Sequence, residues 1–194
     1  MYFIGLSGPP RSGKDTIGAL LEAELLTRNH HLRIDKLSLS MPMRWMVYEL
    51  ANEEYSLDHY EANKDSPNEL LGGATIRQAM IDLSEKHIKP QYGQDYWARH
   101  GIHRLLRRGN VPNVIVCTDV GFDSERQFFE KYVGGFNCLW VQVQRDGTSF
   151  ANDSRGYIKG QSNCTVPNNQ DGYPGIREAA NMVIARAQNL GWTI

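Results

Sequence analysis

Nine consecutive residues near the N-terminus have the types and spacing of a phosphate site: Gly8-Pro-Pro-Arg11-Ser12-Gly13-Lys14-Asp15-Thr16. The frame is G-x-x-x-x-G-K, set between an apolar run and a helical pattern. Glycines let the backbone turn so that successive N–H groups face an anion, and the following helix adds the positive end of its dipole. Lys14 supplies a cation for the outer phosphates of a triphosphate. The position after the lysine, normally a Ser or Thr whose hydroxyl serves Mg²⁺, is Asp15, with Thr16 behind it. A carboxylate there holds Mg²⁺ directly or through water, or acts as base toward an acceptor, and both readings stay open. The expected ligands are ATP and Mg²⁺, and the expected chemistry is phosphoryl transfer.

A second acid follows from strand geometry. Val114 to Thr118 is an apolar, β-branched run ending in Asp119, as a strand carrying a Walker B acid does. At the carboxyl edge of a parallel sheet, Asp119 serves either the metal shell or the acceptor.

The elements that position these residues alternate. Tyr2–Ser7 predicts a strand and Ile17, Leu20, Leu21 and Leu25 one face of a helix; His31–Leu39 predicts a second strand and Pro42 opens a second helix. Between Asn52 and Gly73 the periodicity dissolves, with six acidic residues and one lysine, which predicts a surface excursion or flap. Thr75 is the expected N-cap of a further helix, residues 95–108 predict another, and 89–93 a connection between them. Asp123 or Ser124 is the expected cap of a helix running to about Tyr132, residues 138–144 and 163–166 predict strands, and 174–190 a closing helix. This order predicts an α/β, three-layer fold with a parallel sheet and helices on both faces, as a single domain over residues 1–194.

Composition narrows the function classes. Lys and Arg total 21 against 22 Asp and Glu, a formal net charge of -1, so no global charge draws the chain to nucleic acid or membranes. No leader is seen and no apolar run reaches about 18 residues, so a cytoplasmic protein without a membrane partner is expected. Cys117, Cys138 and Cys164 lack metal spacing and read as small buried hydrophobes. The Asn-x-Ser/Thr matches at Asn152 and Asn163 matter only in a secreted chain.

The loop form GxxRSGKDT, the stretch Ser38-Leu-Ser-Met-Pro42-Met-Arg44, the helix start Thr75-Ile-Arg77-Gln, the cluster Asp95-Tyr-Trp97 and the turn Thr118-Asp119-Val-Gly-Phe122-Asp-Ser-Glu125 occur in that order. Together they resemble the bacteriophage deoxynucleoside monophosphate kinase family. The resemblance implies a nucleoside monophosphate kinase-like fold with a five-stranded parallel sheet, an acceptor-binding excursion at about 41–110 and a lid at about 145–161. It implies a donor site of Gly8, Arg11, Ser12, Gly13, Lys14, Asp15 and Thr16, with Asn168 in a loop beside the donor base. Arg44 and Arg77 become acceptor-phosphate ligands, Asp95, Trp97 and Asp119 acceptor-pocket residues, and Arg145 and Arg155 transition-state cations. The family often carries an arginine where this chain has Gly121.

The implied reaction moves the γ-phosphoryl of ATP to a deoxynucleoside monophosphate, in the host cytoplasm if phage-encoded. The implied partner is a small-molecule nucleotide, with a homodimer as an open arrangement. The alternative is a P-loop kinase acting on a 5-hydroxymethyl pyrimidine base in DNA, for which Arg99, His100, His103, Arg104, Arg107 and Arg108 offer a basic patch. A slow nucleotide-hydrolysing switch is a third class, and the chain has no N-K-x-D base-reading motif.

Overall fold

Five short strands pair in parallel in the order β2-β3-β1-β4-β5, with β1 Tyr2–Ser7, β2 Ile34–Leu37, β3 Val114–Cys117, β4 Cys138–Gln144 and β5 Asn163–Pro167. A computed structural model describes residues 1–109, 111–151, 153–169 and 172–194; Asn152, one of the two Asn-x-Ser/Thr matches and part of the expected lid, lies outside them. The register pairs Gly5 with Cys117 on one side of β1 and Ser7 with Gln142 on the other. The chain thus leaves β1, builds β2 and β3 on one side, and crosses to β4 on the other. This order reversal beside β1 is where α/β sheets open a crevice at their carboxyl edge.

Period-two alternation divides the sheet residues between two cores. Ile4, Leu6, Val114, Val116, Leu139, Val141 and Val166 pack against Ile17, Leu21 and Leu25 of α1 (Lys14–Arg28) and Ala180, Val183, Ile184 and Ala187 of α8 (Tyr173–Asn189). On the opposite face Phe3 stacks on Phe129 of α7 (Asp123–Val133) with centroids 3.9 Å apart, and Trp140 lies 5.4 Å from Phe3. Gly5 makes this possible, because a Cβ there would sit 2.7 Å from the Trp140 ring. Cys117 and Cys138 are buried, Cys164 is half-buried, and all three are free; burial pushes the Cys138 thiol up to about 12.

The chain forms two compact units, Met1–Ser38 with Ala98–Ile194, and Leu39–Trp97. The second has its own small core of Val47, Tyr48, Ala51, Tyr60, Ile76 and Met80. It is helical: α2 Met41–Leu50, α3 Leu57–Asn63, α4 Ile76–Asp82, a π-helical turn Leu83–Ile88 and α5 Lys89–Tyr92; α6 (Tyr96–Leu106) begins in it and continues into the first unit.

Several local expectations change. The acidic stretch 52–73 is not featureless. Ser56 accepts the His59 N–H and starts α3, Asn68 accepts the Leu71 N–H and starts a 3₁₀ turn, and Tyr60 is buried. A helix of two turns with one inward aromatic leaves too little periodicity to read. Residues 89–93 are largely helix rather than a connection, and β2 is shorter than expected. The cap of α7 is Phe122, because the Glu125 carboxylate reaches back to the N–H groups of Gly121 (2.9 Å) and Phe122 (3.1 Å), whereas Asp123 is engaged by Arg126. No helix among the described residues is long and apolar enough to cross a membrane.

Candidate functional site

The loop between β1 and α1 is shaped by backbone that only particular residues tolerate. Arg11 and Gly13 adopt positive φ, 65° and 86°, so the chain alternates hand and turns its amides inward. At Gly8 a Cβ would lie 2.6 Å from Ser12 Oγ and 2.8 Å from the Val143 carbonyl. At Gly13 it would overlap the Asn168 side-chain amide. The loop closes with Ser12 N–H on the Pro9 carbonyl (3.2 Å), which also accepts from Lys14 Nζ (3.3 Å). Gly13 supplies no side-chain cap to α1, so the first-turn amides of this 15-residue helix are left for an anion.

Lys14 is 7 % exposed, while Asp15 and Thr16 beside it are exposed. Burial is the main cause that lowers the Lys14 pKa; Arg155 lowers it further, and Asp15, Asp119 and Asp153 pull it back up. An ammonium held below its ordinary value gains from any anion brought to it.

Asn168, directly after β5, clamps the loop from the side. Its Nδ2 donates to the Ser12 carbonyl at 2.8 Å, its own N–H donates to the Gln144 carbonyl at 2.8 Å, and it is 3 % exposed. Because only the amide nitrogen can donate to Ser12, the amide orientation is fixed. Asn168 Oδ1 and Ser12 Oγ are then buried with no hydrogen-bond partner among the described residues. Two such atoms at one phosphate-type loop fit an absent polar ligand.

The acids converge from α1 and β3. Thr118 Oγ1 donates to Asp15 Oδ1 at 2.5 Å, and Gly18 leaves room for the Thr118 methyl, so α1 seats tightly on the end of β3. Asp119, half-buried, accepts Ser38 Oγ at 2.9 Å and the Cys117 thiol at 3.4 Å. The cradle, Asp15, Thr16 and Asp119 therefore belong to one unit. Thr118 and Ser38 escaped the sequence reading as contributors, although both lie inside motifs already singled out. Asp15 and Thr16, both exposed, have one carboxylate and one hydroxyl that could hold Mg²⁺. Among the described residues no group of three or more His, Cys, Asp or Glu forms a metal cage, so phosphate oxygens would complete such a shell.

The described residues of 145–161 are irregular and fixed at their far end. The Ile158 N–H donates to Ser7 Oγ (3.0 Å), and its carbonyl accepts Gln142 Nε2 (3.1 Å). Near the start, Asp146 and Asn169 exchange two hydrogen bonds of 2.8 Å. Arg145 is half-buried. Arg155 makes a two-pronged pair with Asp153, Nε to Oδ1 at 2.9 Å and a terminal nitrogen to Oδ2 at 2.6 Å. Asp153 carried no sequence signal of its own.

In the second unit, Arg44 lies over the Tyr60 ring at 4.4 Å, with Lys64 5.5 Å from the same ring. Arg77 forks onto Asp65 at 2.6 and 3.2 Å, and its backbone N–H donates to the Lys64 carbonyl. Arg44 and Arg77 are thus gathered around residues 60–65. Asp95 is half-buried. Trp97 is 3 % exposed and donates its indole N–H to Ser84 on the π-helical turn at 3.0 Å. On α6, His100 is half-buried and its pKa is lowered by burial first and then by Arg104, Arg107 and His103; Arg108 pairs with Asp35 at 3.6 Å. The basic residues there do not form one fully exposed face.

No protein-family model matches the chain, and no curated protein matches it in sequence. Solved structures do. The APS kinase CysC of Mycobacterium tuberculosis aligns over 96% of this chain and 96% of its own, with TM-score 0.50 and 14% identity. A gluconokinase from Sinorhizobium meliloti aligns over 98% and 95% (TM-score 0.49, 12% identity), and a thymidylate kinase from Ehrlichia chaffeensis over 95% and 97% (TM-score 0.49, 13% identity). The chain shares the α/β fold of the APS kinase, a five-stranded parallel sheet with helices, as the element order predicts.

Proposed function

We propose that this chain is an ATP- and Mg²⁺-dependent phosphotransferase of the P-loop kinase class that transfers the γ-phosphoryl group to a small-molecule acceptor, a deoxynucleoside monophosphate, giving the diphosphate. The observation that carries the reading is the cradle: a buried, pKa-depressed Lys14 in a glycine-shaped loop, with Ser12 Oγ and Asn168 Oδ1 buried and unsatisfied. The acceptor rests on the ordered motifs by which the sequence resembles bacteriophage deoxynucleoside monophosphate kinases.

In this reading the loop amides and Lys14 bind the β and γ phosphates, and Asn168 holds the loop's shape. Bound Mg²⁺, held through Asp15 and Thr16, neutralises phosphate charge. Arg44 and Arg77 bind the acceptor phosphate, Asp95 and Trp97 line its pocket, and Asp119 serves the acceptor or the metal shell. An acceptor phosphate oxygen forms the new P–O bond as the bond to the β-phosphate oxygen breaks, and ADP leaves. Protein catalysis is positioning and charge neutralisation, with Arg145 or Arg155 supplying positive charge as the group transfers.

A DNA-directed reading, phosphorylation of a 5-hydroxymethyl pyrimidine base, draws on exposed His103, Arg107 and Arg108 at the end of α6. Radiolabelled ATP·Mg²⁺ offered with a panel of deoxynucleoside monophosphates, or with oligonucleotides carrying hydroxymethyl pyrimidines, separates the two. Label in a nucleoside diphosphate is the expected result. Label only in the oligonucleotide overturns the acceptor, and ATP hydrolysis without acceptor labelling overturns the kinase.

A further inference from the structure

Two residues beyond Asp119, Gly121 has no conformational need to be glycine, since it is absent from the positive-φ residues. Its need is spatial. A Cβ built there would fall within the stem of Arg155, overlapping its Cβ, Cγ and Cδ. These are the carbons nearest the Arg155 backbone, so rotating the guanidinium end does not relieve the overlap. The backbones are tied as well: the Gly156 N–H donates to the Gly121 carbonyl at 3.2 Å, and the Gly121 N–H is held by Glu125, itself 4 % exposed, at 2.9 Å. Arg155 therefore lies in the space that any other residue at 121 would fill.

The far end of Arg155 is equally determined. Asp153 accepts from its backbone N–H (3.0 Å), its Nε (2.9 Å) and a terminal nitrogen (2.6 Å), leaving the side chains 12 % and 26 % exposed. A guanidinium forked onto a carboxylate is fixed in plane and direction, which a lysine at this place would not be. The segment that carries Arg155 is tied to the cradle on both sides: Gly156 donates to Gly121, two residues beyond Asp119, and the Ile158 N–H donates at 3.0 Å to Ser7 Oγ, the residue directly before the loop.

We infer that Gly121 and Asp153 are positioning residues that seat and aim Arg155, and that Arg155, not Arg145, is the cation that neutralises the transferring phosphoryl group. The inference rests on the kinase reading above. Asp153 holds the guanidinium plane before substrate arrives, so that little reorganisation remains when charge develops.

Gly121→Ala tests the seat directly, because alanine brings no backbone strain and adds one methyl. Expected is a fall in kcat of about 10–100-fold, the scale of a small misplacement of a positioned group, with the KM for ATP within about threefold. Arg155→Ala should lose about 10³-fold or more, Arg145→Ala much less, and Gly121→Ala should cost nothing further once Arg155 is alanine. Asp153→Asn should lower kcat in the parent and leave Arg155→Ala unchanged. Parent-like activity of Gly121→Ala, or a larger loss from Arg145→Ala than from Arg155→Ala, overturns the assignment. Thermal unfolding reads the seat without activity: Gly121→Ala should lower Tm in the parent and not in an Arg155→Gly background, which removes the overlapping Cβ together with Cγ and Cδ. Equal losses in both backgrounds overturn the seat. A parent that labels no acceptor removes the kinase reading and the catalytic role of Arg155 with it, while the unfolding cycle still decides whether Gly121 seats it.

Discussion

The cradle and the helical unit reach their positive charges by different means. In the cradle, charge comes from backbone: two left-handed residues, glycines without room for a methyl, the uncapped start of α1, and one buried lysine. In the helical unit it comes from side chains on separate helices, Arg44 on Tyr60 and Arg77 on Asp65, each already engaged by a protein group. On the proposed reading, a backbone site of this kind would be pre-formed for its anion. On the same reading, Arg44 over its ring and Arg77 on its carboxylate would exchange these partners for the anion, so the affinity would be a difference between two sets of contacts.

The largest expected effect breaks the cradle. Lys14→Ala should lower the rate of phosphoryl transfer by about 10³-fold, the scale for removing one preorganised charge from developing negative charge. The urea midpoint should not fall, because Lys14 makes one bond, at 3.3 Å, to a backbone carbonyl. Activity within a few-fold of the parent would remove the cradle from the chemistry.

This contrast also explains what the sequence disclosed. Gly8, Gly13 and Lys14 were legible because a backbone nest constrains residue type at fixed spacing, and β1, β3 and β4 because fully buried parallel strands are nearly unbroken apolar runs. The helix at 57–63 was not, since its formation depends on one serine cap and one buried tyrosine seen only in three dimensions. Asp153 and Thr118 were missed for a related reason: their roles are contacts with Arg155 and Asp15 across long stretches of chain, or within an irregular loop, where no period marks them. The resemblance named Arg155 but could not show that Gly121 makes room for it.

Trp97 gives the next largest effect and sharpens the comparison on the helical side. It is 3 % exposed with its indole N–H on Ser84, so Trp97→Ala should cost about 3–5 kcal/mol of stability, as large-to-small changes in cores do. Denaturant unfolding checks this, and Trp97→Phe should retain most of the stability. On the proposed reading Trp97→Ala also raises the acceptor KM, and an unchanged midpoint would show that Trp97 does not hold the helices together. Asn168 does for the cradle what Trp97 does for the helices, at smaller scale. Asn168→Ala leaves the Ser12 carbonyl without its side-chain donor and should cost about 1–3 kcal/mol, accompanied by weaker ATP binding in a titration. Asn168→Asp should bind ATP more weakly still, because a carboxylate cannot donate to Ser12 and adds negative charge beside the loop. Arg77→Ala should raise the KM of the acceptor about tenfold, roughly 1.4 kcal/mol, while the dissociation constant of ATP stays put. An equal loss of ATP affinity would show that the two sets of charges do not divide the substrates between them.

The smallest effect is a pH dependence, and it isolates the pre-formed character of the cradle. The Lys14 pKa is lowered from its ordinary 10.5, chiefly by burial, so the unfolded chain binds this proton more tightly than the folded one. The resulting penalty on the folded state is complete below the folded pKa and fades as pH rises from there toward 10.5. Lys14→Met, which keeps the stem without the charge, should therefore be more stable than the parent at pH 7, and the difference should shrink as the pH approaches 10. Saturating ATP·Mg²⁺ should reverse the order at pH 7, because phosphate brings opposite charge to the Lys14 ammonium and stabilises the parent by mass action. Urea midpoints of the two proteins, at both pH values with and without nucleotide, read all of this. Curves that stay parallel across the pH range would mean that the Lys14 ammonium is not penalised by burial, and that the cradle is not poised for an anion.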